Sequence, residues 1–140
     1  MLLFLCESNS VRSPMAQAIA EHLVPDIWVD SAGAYSSYIR PLVSRVLEEE
    51  GINHRHLRSK DLFGVELDEA THVIVLCDPD EIPRLPKRLT MEFWGIPDPL
   101  CAPVHERKDA FEECRDTLLS RIRAWIRQQQ TLPSIPPNNN

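Results

Sequence analysis

The sequence has no long apolar run, no excess of positive charge, no closely spaced cysteine pair and no internal repeat. Each absence excludes a class of protein. The apolar opening, residues 1–6, is far shorter than a signal-peptide core or a membrane span, and no basic segment precedes it. No membrane association is therefore expected. The formal net charge is -6. Nucleic-acid binders usually carry a basic stripe, so no nucleic-acid partner is expected. The four cysteines, Cys6, Cys77, Cys101 and Cys114, contain no Cys-x-x-Cys. That argues against a zinc site and a disulfide framework, and free thiols fit a reducing, cytoplasmic setting. His22, His54, His56, His72 and His105 are scattered without ligand spacing. A protein of this charge must bind any anion through a local site, not through its overall field.

What is present is enough apolar residue, 43% of 140 positions, for one domain with a core. Residues 2–5 read as a short buried strand that ends in a loop of small polar residues. Ser13-Pro14 suits a helix start, and Met15, Ala16, Ile19, Ala20 and Leu23 recur at helical spacing. Residues 27–29 read as a second strand, with Ser31-Ala32-Gly33 as its turn. Pro41 opens a second helix with Leu42, Val43, Val46 and Leu47 inward, and Gly51 ends it. Residues 57–67 read as a loop with a short helical piece. Residues 72–77 give the clearest strand, residues 90–94 a fourth, and 105–129 the longest helix. That helix presents Phe111, Cys114, Leu118, Ile122 and Trp125 on one face. Residues 131–140, rich in Pro and Asn, read as a flexible tail after a domain of residues 1–130. Strands alternating with helices predict an α/β fold, a parallel sheet with helices on both faces. In such folds ligands sit beyond the carboxyl ends of the strands. Cys6, Cys77 and Asp98 all follow predicted strands.

The loop Cys6-Glu7-Ser8-Asn9-Ser10-Val11-Arg12-Ser13 joins a strand to a helix start. The unpaired N–H groups and positive dipole of a helix N-terminus make an anion site. A loop wrapped around the anion adds backbone donors, and Arg12 offers a planar grip on two oxygens. The same field favours the thiolate of Cys6, the nucleophilic form. Ser13 either donates to the sulfur or caps the helix. Asn9 holds the loop, since Asn tolerates left-handed geometry. Glu7 is expected to point into solvent. No metal or other cofactor is required, because the loop itself neutralises the oxyanion.

Residues 6–13, followed by Pro14-Met15-Ala16, resemble the phosphate-binding loop of the low-molecular-weight protein tyrosine phosphatase superfamily, which includes the thiol-dependent arsenate reductases. Ser31-Ala32-Gly33, Pro41, Gly51-Ile52 and Trp94-Gly95-Ile96-Pro97-Asp98-Pro99 extend the resemblance in the same order. It implies a three-layer α/β/α fold with a four-stranded parallel sheet. It also implies an oxyanion cradle formed by Glu7, Ser8, Asn9, Ser10, Val11, Arg12 and Ser13, and a phosphocysteine intermediate on Cys6. Two positions depart from the pattern. Ser8 stands where a glycine is usual and would be strained if φ there were positive. Val11 stands where many relatives carry a second cysteine.

Taken alone, Asp98 between Pro97 and Pro99 reads as a surface turn. The resemblance makes it the general acid that protonates the leaving oxygen and then activates water. Tyr35 and Tyr38 either wall the cleft or are ordinary rim residues. Cys77 is either a core cysteine or, by the resemblance, a redox partner of Cys6. No further cysteine follows it within residues 79–83. Cys101 and Cys114 read as structural. The first expectation is a phosphatase acting on a phosphorylated protein or a small phosphomonoester. The alternatives are an arsenate reductase, using Cys77 or an external thiol reductant, and a non-catalytic phosphate-binding module, favoured if Ser8 distorts the loop.

Overall fold

Strand β1 (Leu2–Cys6) is apolar throughout, and all five of its residues are buried. A strand reaches that state only inside a sheet covered on both faces. A computed structural model, describing residues 1–131, shows that sheet. Its other strands are β2 (Val29–Gly33), β3 (His72–Val75) and β4 (Thr90–Phe93), in the order β2-β1-β3-β4, and every pairing is parallel. The helices are α1 (Arg12–Leu23), α2 (Pro41–Glu48) and α3 (Arg107–Thr131). The fold is α/β with a four-stranded parallel sheet, as expected from the alternation of strands and helices. The expected tail, residues 131–140, lies outside the described residues beyond Thr131, which is the last residue of α3. No helix among the described residues is long and apolar enough to cross a membrane.

Strand β2 begins later than the apolar pattern suggests. Ile27 and Trp28 are 42% and 50% exposed, whereas Val29, Ser31, Ala32 and Gly33 are buried. The paired register runs Leu2 with Val29 through to Cys6 with Gly33. Ser31-Ala32-Gly33 is thus strand, not turn. A buried strand beside the loop favours small residues over apolar bulk. A Cβ at Gly33 would lie 2.5 Å from Tyr35 O, 2.7 Å from Asn9 N and 2.8 Å from the carbonyl carbon of Ser8.

Helix α2 starts at Pro41, whose missing N–H costs nothing in a first turn. Its end has a left-handed Gly51 at φ 68°, and the Ile52 amide returns to Leu47 O at 3.0 Å. Buried Arg115 of α3 donates to Val46 O at 2.9 Å and to Glu49 Oε1 at 2.8 Å, which docks α2 on α3. The face of α3 read from the sequence is buried: Phe111, Cys114, Leu118, Ile122 and Trp125. Each fully buried large apolar side chain there contributes about 1.5–3 kcal/mol. A single 3-10 turn (Val104–Glu106) precedes α3, so the helix begins two residues after His105. The stretch read as a loop with a short helical piece contains the 3-10 turn Leu62–Gly64, and a second turn, Leu67–Glu69, follows it. Leu57, Leu62, Val65 and Leu67 pack against the core from this stretch.

Candidate active site

Cys6 ends β1, and α1 begins at Arg12, so the intervening loop turns at the carboxyl edge of the sheet. Its carbonyls face outward. Cys6 O accepts from Ala34 N at 3.3 Å and Glu7 O from Tyr35 N at 3.2 Å. Ser8 O accepts from Ser59 Oγ at 3.1 Å, and Ser10 O from Arg40 N at 3.1 Å. Val11 O receives the Met15 amide at 3.1 Å, the first turn of α1. The amides of residues 7–11 make no hydrogen bond among the described residues. A loop whose carbonyls are engaged outside and whose N–H groups are uncommitted presents donors to an anion.

Positive φ falls on Asn9, at 50°, and not on Ser8. Ser8 therefore carries no left-handed strain, and its side chain meets Ser10 Oγ at 2.7 Å. Asn9 is fully buried and held on both ends of its amide. Its oxygen accepts from Lys60 N at 2.9 Å, and its nitrogen donates to Ser13 Oγ at 2.8 Å and Ser31 Oγ at 3.0 Å. These bonds stabilise a left-handed conformation that Asn tolerates better than most residues. Ser13 Oγ lies 2.9 Å from Cys6 Sγ. Helix α1 has no side-chain N-cap, and its N-cap residue is Val11. Of the two roles open to Ser13, the structure shows the contact with sulfur and not the cap.

Arg12 is buried, and its guanidinium spans the ends of β3 and β4. Nη1 donates to Ile96 O at 3.0 Å and to Leu76 O at 3.4 Å. Nη2 lies 3.9 Å from Asp98 Oδ2. The other oxygen of Asp98 accepts from Leu100 N at 2.9 Å, which caps the 3-10 turn Pro99–Cys101. One oxygen is thus tied to its own loop and the other is turned toward Arg12. Asp98 is no isolated surface turn, because the fold brings it to the Cys6 loop.

Glu7 lies on the solvent-facing side of the loop and does not stand alone there. It accepts from Tyr35 Oη at 3.1 Å. Hydrogen bonding to the Glu81 carboxyl, and then to Tyr35, holds it below the usual carboxylate range. Glu81 is raised by the same shared hydrogen bond. Tyr35 and Tyr38 are both more than half exposed, and Tyr38 stacks under the Arg40 guanidinium at 4.6 Å. Cys77 is buried, and its thiol is pushed up to about 11, chiefly by burial and then by the negative field of Cys6. Cys114 is pushed up to about 12, again chiefly by burial. Cys101, read as structural, is exposed.

The model of the family described as low molecular weight phosphotyrosine protein phosphatase matches residues 1–133. The chain belongs to that family. Among curated members, it is 33% identical over 131 residues to an arsenate reductase of Shouchella clausii, covering 89% of this chain and 94% of that one. Among solved structures, an arsenate reductase in its reduced state superposes with a TM-score of 0.75 at 28% identity, over 91% of this chain and 97% of that one. An arginine phosphatase from Geobacillus stearothermophilus gives 0.73 at 28% identity, over 93% and 92%. This phosphatase family therefore holds both phosphatases and arsenate reductases among the relatives of the chain.

Sequence reasoning missed Gln17, Ser31 as a partner of Asn9, and Lys60. Gln17 did leave a signal: it is a polar residue within the apolar run Met15-Ala16-Gln17-Ala18-Ile19, and it is buried. Lys60 left none, because it acts through its backbone amide.

Proposed function

We propose that the chain is a cysteine-dependent phosphatase of the cytoplasm, acting on a phosphorylated protein or a small phosphomonoester. One observation carries this reading. The loop of residues 7–11 has uncommitted amides, and the same site holds Cys6, Arg12 and Asp98. The Cys6 thiolate attacks phosphorus in line, forming an S–P bond as the P–O bond to the leaving group breaks. Asp98 gives its proton to the departing oxygen. Arg12 and the loop amides stabilise the equatorial oxygens, the contribution that is usually largest in such transfers. Asp98, now a carboxylate, takes a proton from water. The water oxygen attacks phosphorus, the S–P bond breaks, and phosphate leaves with the thiolate restored. Ser8 does not take positive φ, which weighs against the purely phosphate-binding module that a distorted loop would favour.

A second reading, arsenate reduction, is favoured by the burial of Cys77 within the field of Cys6 and by the curated relative. Here the Cys6 sulfur attacks arsenate, forming an S–As bond as an As–O bond breaks and its oxygen leaves as water. The Cys77 sulfur, or an external thiol, then attacks Cys6, forming a disulfide as arsenic leaves reduced by two electrons. A thiol reductant restores both sulfurs. A thiol raised by burial attacks slowly near neutral pH, which weighs against Cys77 in this step and not against an external thiol. The test is to supply an aryl phosphate, and separately arsenate with thioredoxin or a small thiol. Phosphate release supports the first reading and sustained arsenite formation the second. Anion binding without turnover refutes both.

A further inference from the structure

A chain of hydrogen bonds runs from the sulfur of Cys6 to the last turn of α1. Ser13 Oγ lies 2.9 Å from Cys6 Sγ, and Asn9 Nδ2 donates to Ser13 Oγ at 2.8 Å and to Ser31 Oγ at 3.0 Å. Ser31 Oγ donates to Gln17 Oε1 at 2.6 Å, and Gln17 Nε2 donates to Glu21 Oε2 at 3.3 Å. The other oxygen of Glu21 meets His56 Nε2 at 2.6 Å. Asn9, Ser13, Ser31 and Gln17 are all buried, whereas Glu21 and His56 reach solvent.

The direction of every bond follows from its two ends. A carboxylate only accepts, so Glu21 draws the NH2 of Gln17 toward itself and leaves the Gln17 carbonyl facing Ser31. The single proton of Ser31 then goes to Gln17, and Ser31 accepts from Asn9. From the opposite side, the Lys60 amide claims the Asn9 oxygen. The Asn9 NH2 therefore serves both serines as donor. The one proton of Ser13 is left for the sulfur at 2.9 Å or for Ala32 O at 3.4 Å, and the sulfur is nearer. A donor on sulfur stabilises the thiolate over the thiol.

We propose that Gln17 and Glu21 are positioning residues for Cys6, holding Ser31 and Asn9 in the orientation that keeps the Ser13 hydroxyl donating to the nucleophile. Neither belongs to the 6–13 loop. The proposal rests on the reading of Cys6 as nucleophile. The charged and titratable groups around the two ends are spared by the test variants. His56 faces Glu21 from the segment after α2. Tyr35, Cys77 and Cys114 act around Cys6 from the segment after β2, the segment after β3 and α3.

The test measures iodoacetamide alkylation of Cys6 at about pH 6 by peptide mapping, with exposed Cys101 as internal reference and inorganic phosphate as protectant. Gln17→Met should slow Cys6 by about threefold to tenfold, the reach of one hydrogen bond. Cys101 should react at its usual rate, and the phosphate concentration that protects should stay the same. Loss of phosphate protection together with reactivity would instead mark general damage to the loop and overturn the positioning role. Glu21→Gln frees Gln17 to turn over and should slow Cys6 in the same direction. Glu48→Gln, in the separate Glu48–His54 pair, should change nothing. If wild-type Cys6 is neither faster than Cys101 nor protected by phosphate, the nucleophile reading fails and the proposal falls with it. If wild-type Cys6 is protected but Gln17→Met matches its rate, the proposal alone is overturned. Should Gln17→Met not fold, Glu21→Gln decides, and a wild-type rate there overturns the proposal.

Discussion

Gly33→Ala should disable the site without removing any group that takes part in the reaction. The added Cβ would fall 0.6 to 0.9 Å short of ordinary contact with three atoms: Tyr35 O, Asn9 N and the carbonyl carbon of Ser8. All three are backbone, so no side chain can turn aside to make room. Either β2 withdraws from β1, breaking the Cys6–Gly33 register, or the loop at Ser8 and Asn9 moves. Overpacking of this kind costs about 1–3 kcal/mol of stability. Displacement of a reacting group by about 1 Å can cost on the order of 10²-fold in rate. A Gly33→Ala variant should therefore lose about 1–3 kcal/mol in a urea titration and roughly 10²-fold in kcat/KM on an aryl phosphate. Inorganic phosphate should inhibit it more weakly, because the Asn9 amide is one of the atoms displaced. A variant with wild-type midpoint, turnover and phosphate inhibition would refute the claim that the end of β2 sets the loop.

Asp98→Asn should lower turnover by roughly 10²–10⁴-fold, with a smaller loss on substrates whose leaving groups need little protonation. Equal losses across leaving groups of very different basicity would assign Asp98 a structural role. Mild peroxide should join Cys6 to Cys77 in a cross-link reversed by dithiothreitol and absent from Cys77→Ser. Sulfinic acid on Cys6, unaffected by Cys77→Ser, would count against Cys77 as a redox partner. Glu49 is held at about 2 by Lys108 and then Arg115, below its ordinary 4.5. A carboxyl depressed by folding contributes stability above its unfolded value and loses it as pH falls through its folded value. Glu49→Gln should thus melt lower than wild type at pH 6, and the two curves should converge between pH 4.5 and 2. Parallel melting curves across that window would show that the α2–α3 ion pairs contribute nothing.

Where local chemistry is sufficient, the sequence is legible. Pro41 begins α2 because its ring fixes φ, and Gly51 follows its end because glycine tolerates positive φ. The face of α3 follows from spacing alone, since a helix of any context puts Phe111, Cys114, Leu118, Ile122 and Trp125 on one side. The Cys6 loop was legible because strand, small polar loop and helix start stand in one contiguous stretch. Strand β2 was not. Its boundary depends on which residues can lie against β1 and the loop, and that selects Ser31, Ala32 and Gly33 over Ile27 and Trp28.

By itself the sequence determined the α/β class and singled out Cys6 and Arg12 in one strand–loop–helix stretch, because these rest on contiguous residues and the period of the helices; Asp98 became a candidate only through the resemblance. Tertiary structure alone decided the rest. Asn9, not Ser8, takes the left-handed conformation, fixed by the amide of Lys60 fifty-one residues away. Ser13 faces the sulfur and caps nothing, because Asn9 already supplies the donor to its oxygen. Asp98 meets Arg12 across eighty-six positions of chain, and Glu7 is claimed by Tyr35 and Glu81. Each of these is a hydrogen bond or an ion pair between distant segments. Such bonds depend on distance and direction in space, which no local propensity or spacing encodes.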